Sequence, residues 1–151
     1  MSPYQIHLQP LESVPLAVVR RQAAATELSR VVPECCGLVW SALRAQGVRG
    51  GRHVAIYWDE AVRLDIGVEL AGPFTEQGGL VRSATPAGTV AWVTHLGPYN
   101  ALGAAHQAIH DWAKAGNHHL AGPKWEIYGH WKQEWDADPS QMRTDVFYLV
   151  K

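Results

Sequence analysis

Apolar positions recur along the chain at two spacings, and the switches between them mark short strands and two helices. Residues 14–21 are apolar and partly β-branched, which suits a strand. Within 34–46, Cys36, Val39, Trp40 and Leu43 fall at helical spacing, and Gly47 supplies a stop. Two strands follow at 53–58 and 64–70, on either side of the polar turn Asp59-Glu60-Ala61. In the second of them Leu64, Ile66, Val68 and Leu70 alternate with Asp65, Gly67 and Glu69. That alternation predicts one buried face and one face turned towards something polar.

The order then returns. Residues 88–96 read as a strand, and 99–115 as a helix with Leu102, Ala105, Ile109 and Trp112 on one face, closed by Gly116. Strands at 124–131 and 143–150 complete a second pair. Trp40 precedes Ile56-Tyr57 by sixteen residues, and Trp112 precedes Ile127-Tyr128 by fifteen. Asp65-Ile66 then matches Asp145-Val146, with about nine extra residues in the second turn, within 131–139. Several matches in order point to a duplicated strand–helix–strand–strand unit, with pseudo-repeats at about 12–75 and 84–151 of a single domain. Two such units joined through their sheets leave a cleft near the pseudo-twofold axis, a natural small-molecule site.

Composition narrows the partners. With 47 % hydrophobic and 18 % charged residues, the 151-residue chain falls among soluble globular proteins. Seven basic and seven acidic side chains lie in the first 75 residues, six and seven in the rest, so no basic half exists to hold a nucleic-acid backbone. Residues 83–110 carry no Asp, Glu, Lys or Arg, but prolines, glycines and histidines interrupt them, so no membrane span is expected. The start Met1-Ser2-Pro3-Tyr4 lacks the basic and apolar regions of a secretory signal. Adjacent Cys35 and Cys36 suit neither a disulfide framework nor a metal pair; they read as helix residues in a reducing compartment, and the expected location is cytoplasmic.

Candidate chemistry centres on one carboxylate. Glu126 sits inside Trp125-Glu126-Ile127-Tyr128, and strand alternation sets Glu126, Tyr128 and His130 on one face with Trp125, Ile127 and Trp131 on the other. The bland reading is a solvent-facing Glu on a half-exposed sheet. Facing the cleft, it instead offers charge beside aromatic rings, which attracts lipophilic cations, or a general base if desolvation raises its pKa. The first repeat keeps Tyr57 but has Ala55 at the carboxylate position, so the site is asymmetric. His106 and His110 lie one helical turn apart, yet no third ligand stands alongside in sequence. They read as surface or cleft-rim residues, and neither metal nor haem nor any other cofactor is expected. Of seven Trp residues, Trp40 and Trp112 occupy matching helix positions and read as core. Trp58, Trp92, Trp131 and Trp135 stay candidates for a wall or lid.

The segment from Gly97-Pro98-Tyr99 through Leu102, His106 and Trp112, followed by Gly122-Pro123-Lys124-Trp125-Glu126-Ile127-Tyr128, Asp138-Pro139 and Arg143-Thr144-Asp145-Val146, resembles the GyrI-like small-molecule-binding domain. That domain also serves as the effector-binding part of multidrug-responsive transcription regulators. The resemblance implies an α+β fold of tandem repeats, with an antiparallel sheet and a ligand cleft between two helices. It places the family's cleft carboxylate on Glu126 and matches aromatic positions at Tyr99 and Tyr128. No DNA-binding helix pair is visible, so a free-standing module is expected. The leading expectation is a protein that sequesters or senses aromatic, cationic or neutral, compounds through Glu126, Tyr99, Tyr128, Tyr57, Trp58 and Trp92. One alternative is a hydrolase of cyclopropane-type compounds, with Glu126 as base and Tyr99 or Tyr128 as hydrogen-bond donor. A second is a protein-interaction module of gyrase-inhibitor type; whether a protein partner or self-association exists is left open.

Overall fold

The computed structural model describes residues 4–59, 63–70, 72–129, 140 and 142–151. Eight strands form one sheet: β1 (His7–Leu11), β2 (Pro15–Gln22), β3 (Gly50–Tyr57), β4 (Arg63–Leu70), β5 (Val81–Ala84), β6 (Gly88–Leu96), β7 (Leu120–Tyr128) and β8 (Arg143–Val150). Their spatial order is β1-β6-β8-β7-β3-β4-β2-β5, and every pairing is antiparallel. Helix α1 (Leu28–Gln46) connects β2 to β3, and α2 (Leu102–Ala115) connects β6 to β7.

That order has an internal twofold. β2-α1-β3-β4 and β6-α2-β7-β8 each build a three-stranded piece, and the pieces meet where β3 pairs with β7. Ala55 stands opposite Glu126, His53 opposite Tyr128 and Tyr57 opposite Lys124. Exchanging Tyr57 for Tyr128 and His53 for Lys124 reproduces the same pairing, so the axis passes through the Ala55–Glu126 pair. Opposite Ile56 stands Asp65, and opposite Ile127 stands Asp145, as the same operation requires. Both inner strands also carry a register shift at equivalent places, between Gly50 and His53 and between Leu120 and Lys124. The two short outer strands cross over: β1, which precedes the first unit, pairs with β6, and β5, which precedes the second, pairs with β2. Neither has a long apolar run, and the hydrophobic pattern did not predict them.

The helices cover one face of the sheet. Val31, Cys35, Val39 and Leu43 repeat every four residues along α1 and pack on Ala17, Val19, Ala55, Leu64, Ile66 and Val68. Leu102, Ala105 and Ile109 of α2 pack on Ala91, Val93, Val146 and Tyr148. Alternate residues of the same strands, among them Leu16, Val54, Ile56, Trp125, Ile127 and Phe147, form a second apolar layer on the opposite face. Trp125 is 1 % exposed there and stacks on Phe147 at 5.3 Å, on the face away from Glu126 as alternation requires.

Two expectations need correction. Trp40 is not core: the stripe that meets the sheet runs through Val39 and Leu43, and Trp40 lies about 100° further round, 50 % exposed. The alternating strand β4 follows the expectation, with Leu64, Ile66 and Val68 in the core and its other face turned to polar partners. Asp65 is 2 % exposed and accepts bonds from Arg20 Nε at 3.1 Å and Ser83 Oγ at 2.6 Å. A Cβ on Gly67 would lie 1.8 Å from the Ala17 carbonyl oxygen, so this glycine marks a close approach of backbone to β2. Finally, α1 begins six residues before 34. A 3-10 turn over Ala25–Glu27 starts it, with the Glu27 carboxylate accepting from the Ala24 amide at 3.0 Å, and Pro33 lies inside the helix. Its end follows the expectation, with Gly47 at φ +69° receiving the left-handed conformation.

Candidate functional site

A cavity of about 1010 Å³ opens between the two helices, above the β3–β7 seam. Its floor carries His53 and Tyr57 of β3 and Glu126 and Tyr128 of β7. These share a face because His53, Ala55 and Tyr57 alternate along one strand and Glu126 and Tyr128 along the other. One wall is Leu28, Val32, Cys36 and Trp40, the flank of α1 next to its buried stripe. The other is Leu102, Gly103 and His106 of α2, with Tyr99 at the mouth, 44 % exposed. Tyr99 meets Tyr128 edge to face, centroids 5.5 Å apart. Ala55, across the seam from Glu126, adds no bulk, so the space is built around a single carboxylate.

Glu126 is 6 % exposed, and three side chains hold it. Oε1 accepts from the Tyr128 hydroxyl at 2.5 Å and the Tyr57 hydroxyl at 3.3 Å. Oε2 lies 2.7 Å from His106 Nε2, and His106 Nδ1 lies 2.7 Å from the Tyr148 hydroxyl. Burial alone pushes the carboxyl up, but the hydrogen bond and charge of His106 and the two phenol hydroxyls more than offset it. The net position is below the ordinary carboxylate value, so Glu126 is an anion at neutral pH. Burial and that same anion push the Tyr57, Tyr128 and Tyr148 phenols upward. Desolvation pushes the Cys36 thiol up to about 11, with adjacent Cys35 adding to it. The cavity therefore combines aromatic and apolar walls with the Glu126 carboxylate, and Arg49 also stands on its lining.

Of the residues singled out from the sequence, Glu126, Tyr57, Tyr99 and Tyr128 line this cavity together. Trp58 and Trp92 do not. Trp58 follows Tyr57 just past the end of β3 and packs against the opposite apolar layer, beside a groove with Arg20, Arg63 and Asp65. Trp92 lies between His7, tilted at 4.7 Å, and Phe147, stacked at 5.6 Å, on that same far face. Their assignment to the cleft wall is corrected on that ground. Trp131, Trp135 and His130 lie outside the described residues. His106 corrects the reading of surface or rim: it is bonded to the central carboxylate, whereas its neighbour His110 is exposed and edge-on to Tyr148 at 5.0 Å.

Tyr148, Cys36 and Trp40 were missed as site residues. The signal for Tyr148 was present, since it shares strand parity with Val146 and so faces α2. Cys36 and Trp40 sit four residues apart, one position beyond the stripe Cys35–Val39, which marks the edge of the buried face. Nothing in periodicity distinguishes such an edge from solvent.

No curated protein matches the chain. Among solved structures, it is similar to the C-terminal domain of EcmrR, at 19 % identity and a TM-score of 0.79, over 99 % of this chain and 98 % of that one. It is also similar to SAV2435, solved bound to tetraphenylphosphonium, at 12 % identity and a TM-score of 0.69, over 97 % and 94 % of the two chains. A hydrolase from Listeria innocua matches at 10 % identity and a TM-score of 0.61, over 97 % and 92 %. At such identities these likenesses establish the fold: an antiparallel sheet carrying two helices, of the α+β class. The model of the GyrI-like small-molecule-binding domain matches residues 4–151, and the chain belongs to that family.

Proposed function

We propose that the cleft binds small aromatic compounds, cationic ones above all, and that the protein sequesters or senses them in the cytoplasm. The observation that carries this is the ionised Glu126, buried among tyrosines in a cavity large enough for a drug-sized molecule. With His106 in its neutral form, Glu126 has only hydrogen-bond donors beside it, and a cation with an apolar shell relieves the remaining field. The aromatic faces already accept a cation at one end: the Lys124 ammonium lies 5.8 Å from the ring centroids of both Tyr57 and Tyr148. Binding of tetraphenylphosphonium by the structural relative SAV2435 supports the same ligand class.

Glu126, Tyr57, Tyr99 and Tyr128 are the proposed ligand residues, joined by His106 and Trp40. Because Trp40 lines the cavity, its fluorescence reports occupancy. Titration with tetraphenylphosphonium should quench it saturably, the quenching should vanish in Trp40→Phe, and Glu126→Gln should weaken the affinity without changing the melting temperature by more than a few degrees. Unaltered affinity in Glu126→Gln would show that the charge plays no part.

The hydrolytic alternative is the weaker of the two. A general base works best with a pKa near the operating pH and an oxygen free to take a proton from water. Here the carboxyl is held down, and both oxygens already accept bonds from protein donors. Mass spectrometry of a cyclopropane-bearing compound after incubation tests it directly, with product carrying one added water as the result that would restore this reading.

A further inference from the structure

His106 touches two partners that together make its protonation free of any hydrogen-bond loss. In the neutral ring Nε2–H donates to Glu126 and Nδ1 accepts from the Tyr148 hydroxyl. In the protonated ring both nitrogens donate, and the Tyr148 hydroxyl turns to accept. No heavy atom has to move. What changes is charge: the His106–Glu126 pair is −1 in the first state and zero in the second.

We propose that His106 sets which charge the cleft accepts: a bound cation and a proton on His106 compete for the field of Glu126, so cations enter with release of a proton and uncharged aromatic molecules enter without one. The proposal rests on the reading of the cleft as a small-molecule site.

His106 is the one imidazole bonded to Glu126 among the described residues. From β7 it faces Glu126 and Tyr128, and from β8 Tyr148. Tyr57 of β3 shares the carboxylate with it. The three phenols are pushed up and Glu126 down, so none of them titrates between about pH 5 and 8. Across the cleft, the Cys36 thiol of α1 stays neutral in that range. Arg49 lines the cavity, and Lys124 stands over the Tyr57 and Tyr148 rings. His110, one turn along α2, is lowered by partial desolvation, by Lys124 and by His106, and is a further imidazole to control for. His53 also lines the cavity and is the remaining imidazole to control for.

By linkage, a cation that lowers the proton affinity of His106 loses affinity as that residue protonates, at most about tenfold per pH unit. The probes are tetraphenylphosphonium and the uncharged triphenylphosphine oxide, titrated calorimetrically from pH 5 to 8 in two buffers of different ionisation heat. Phosphonium affinity should fall on the acid side, with up to one proton released on binding near the midpoint, while the phosphine oxide stays flat within about twofold. The slope, as distinct from absolute affinity, should be lost in His106→Gln and kept in His53→Gln and His110→Gln. Should His106→Gln fail to fold, imidazole NMR of the unmodified protein serves instead: phosphonium must move the His106 midpoint to lower pH. A flat phosphonium profile, a slope that persists in His106→Gln, or an unmoved midpoint overturns the proposal while leaving the cleft reading standing. Binding of neither probe at any pH overturns the cleft reading itself, and the proposal with it.

Discussion

Two tyrosines related by the pseudo-twofold donate to the same oxygen of Glu126, but unequally, and the inequality has a measurable consequence. The Tyr128 hydroxyl is 2.5 Å from Oε1, the Tyr57 hydroxyl 3.3 Å. A hydroxyl bonded this closely to a carboxylate is at the strong end of the scale. Its loss costs about 1.5–3 kcal/mol, because Glu126 at 6 % exposure has little water to replace it. At 3.3 Å the Tyr57 bond lies beyond the ordinary O–H···O range, and its removal should cost less than about 1 kcal/mol. Urea denaturation at pH 7 of Tyr128→Phe and Tyr57→Phe, each alone and combined with Glu126→Gln, separates the charge-assisted part. In the Gln background the Tyr128→Phe cost should drop to that of a neutral bond, about 0.5–1.5 kcal/mol. There is a pH signature too. A carboxyl held below its unfolded value contributes stability that is complete above that value and is lost as pH falls through the folded one. Tyr128→Phe removes a group that holds it down, so the loss should be smaller and should be complete at higher pH. Equal costs for the two tyrosines, or a Tyr128→Phe cost unaffected by Glu126→Gln, would refute the description of Glu126 as an anion pinned mainly by Tyr128 and His106.

Other positions give independent checks. Gly103→Leu should block tetraphenylphosphonium, since Gly103 lines the cavity and a Cβ there meets nothing within 4 Å; unchanged binding would place the ligand elsewhere. Gly67→Ala should destabilise by about 3 kcal/mol or more in chemical denaturation, since its Cβ would overlap the backbone oxygen of Ala17; a neutral effect would contradict the close β2–β4 approach. With its thiol at about 11 against an ordinary 9.0, Cys36 should react with iodoacetamide at pH 8 roughly a hundredfold more slowly than a free thiol, and more slowly still with the cleft filled; a rate like that of a small-molecule thiol would contradict its burial beside the site.

Much of the fold was open to a period-counting reader because the buried stripes are long and regular. The strands at 88–96 and 143–150 and the Gly47 helix stop emerge at the expected places. The edge strands β1 and β5 do not, since His7–Leu11 and Val81–Ala84 are held by pairing at the sheet's borders and carry little apolar periodicity of their own. Within the site, parity served well for Glu126, Tyr128 and Trp125. It also spoke against Trp58, because adjacent residues Tyr57 and Trp58 cannot both face the cleft from the strand expected at 53–58. His106 was harder. An imidazole at the border of an apolar helix face reads as exposed until the strand opposite is known to bring up a carboxylate. That meeting joins α2 to β7 through tertiary packing, over a separation of twenty residues that no local pattern records.

Whether the charge of Glu126 selects the ligand is tested most directly with two ions of the same shape and opposite sign, tetraphenylphosphonium and tetraphenylborate. Calorimetric affinities at pH 7.5 should favour the phosphonium by at least about tenfold, equivalent to about 1.4 kcal/mol, and Glu126→Gln should erase or invert that preference. Equal binding of the two ions, or a preference that survives Glu126→Gln, would contradict it.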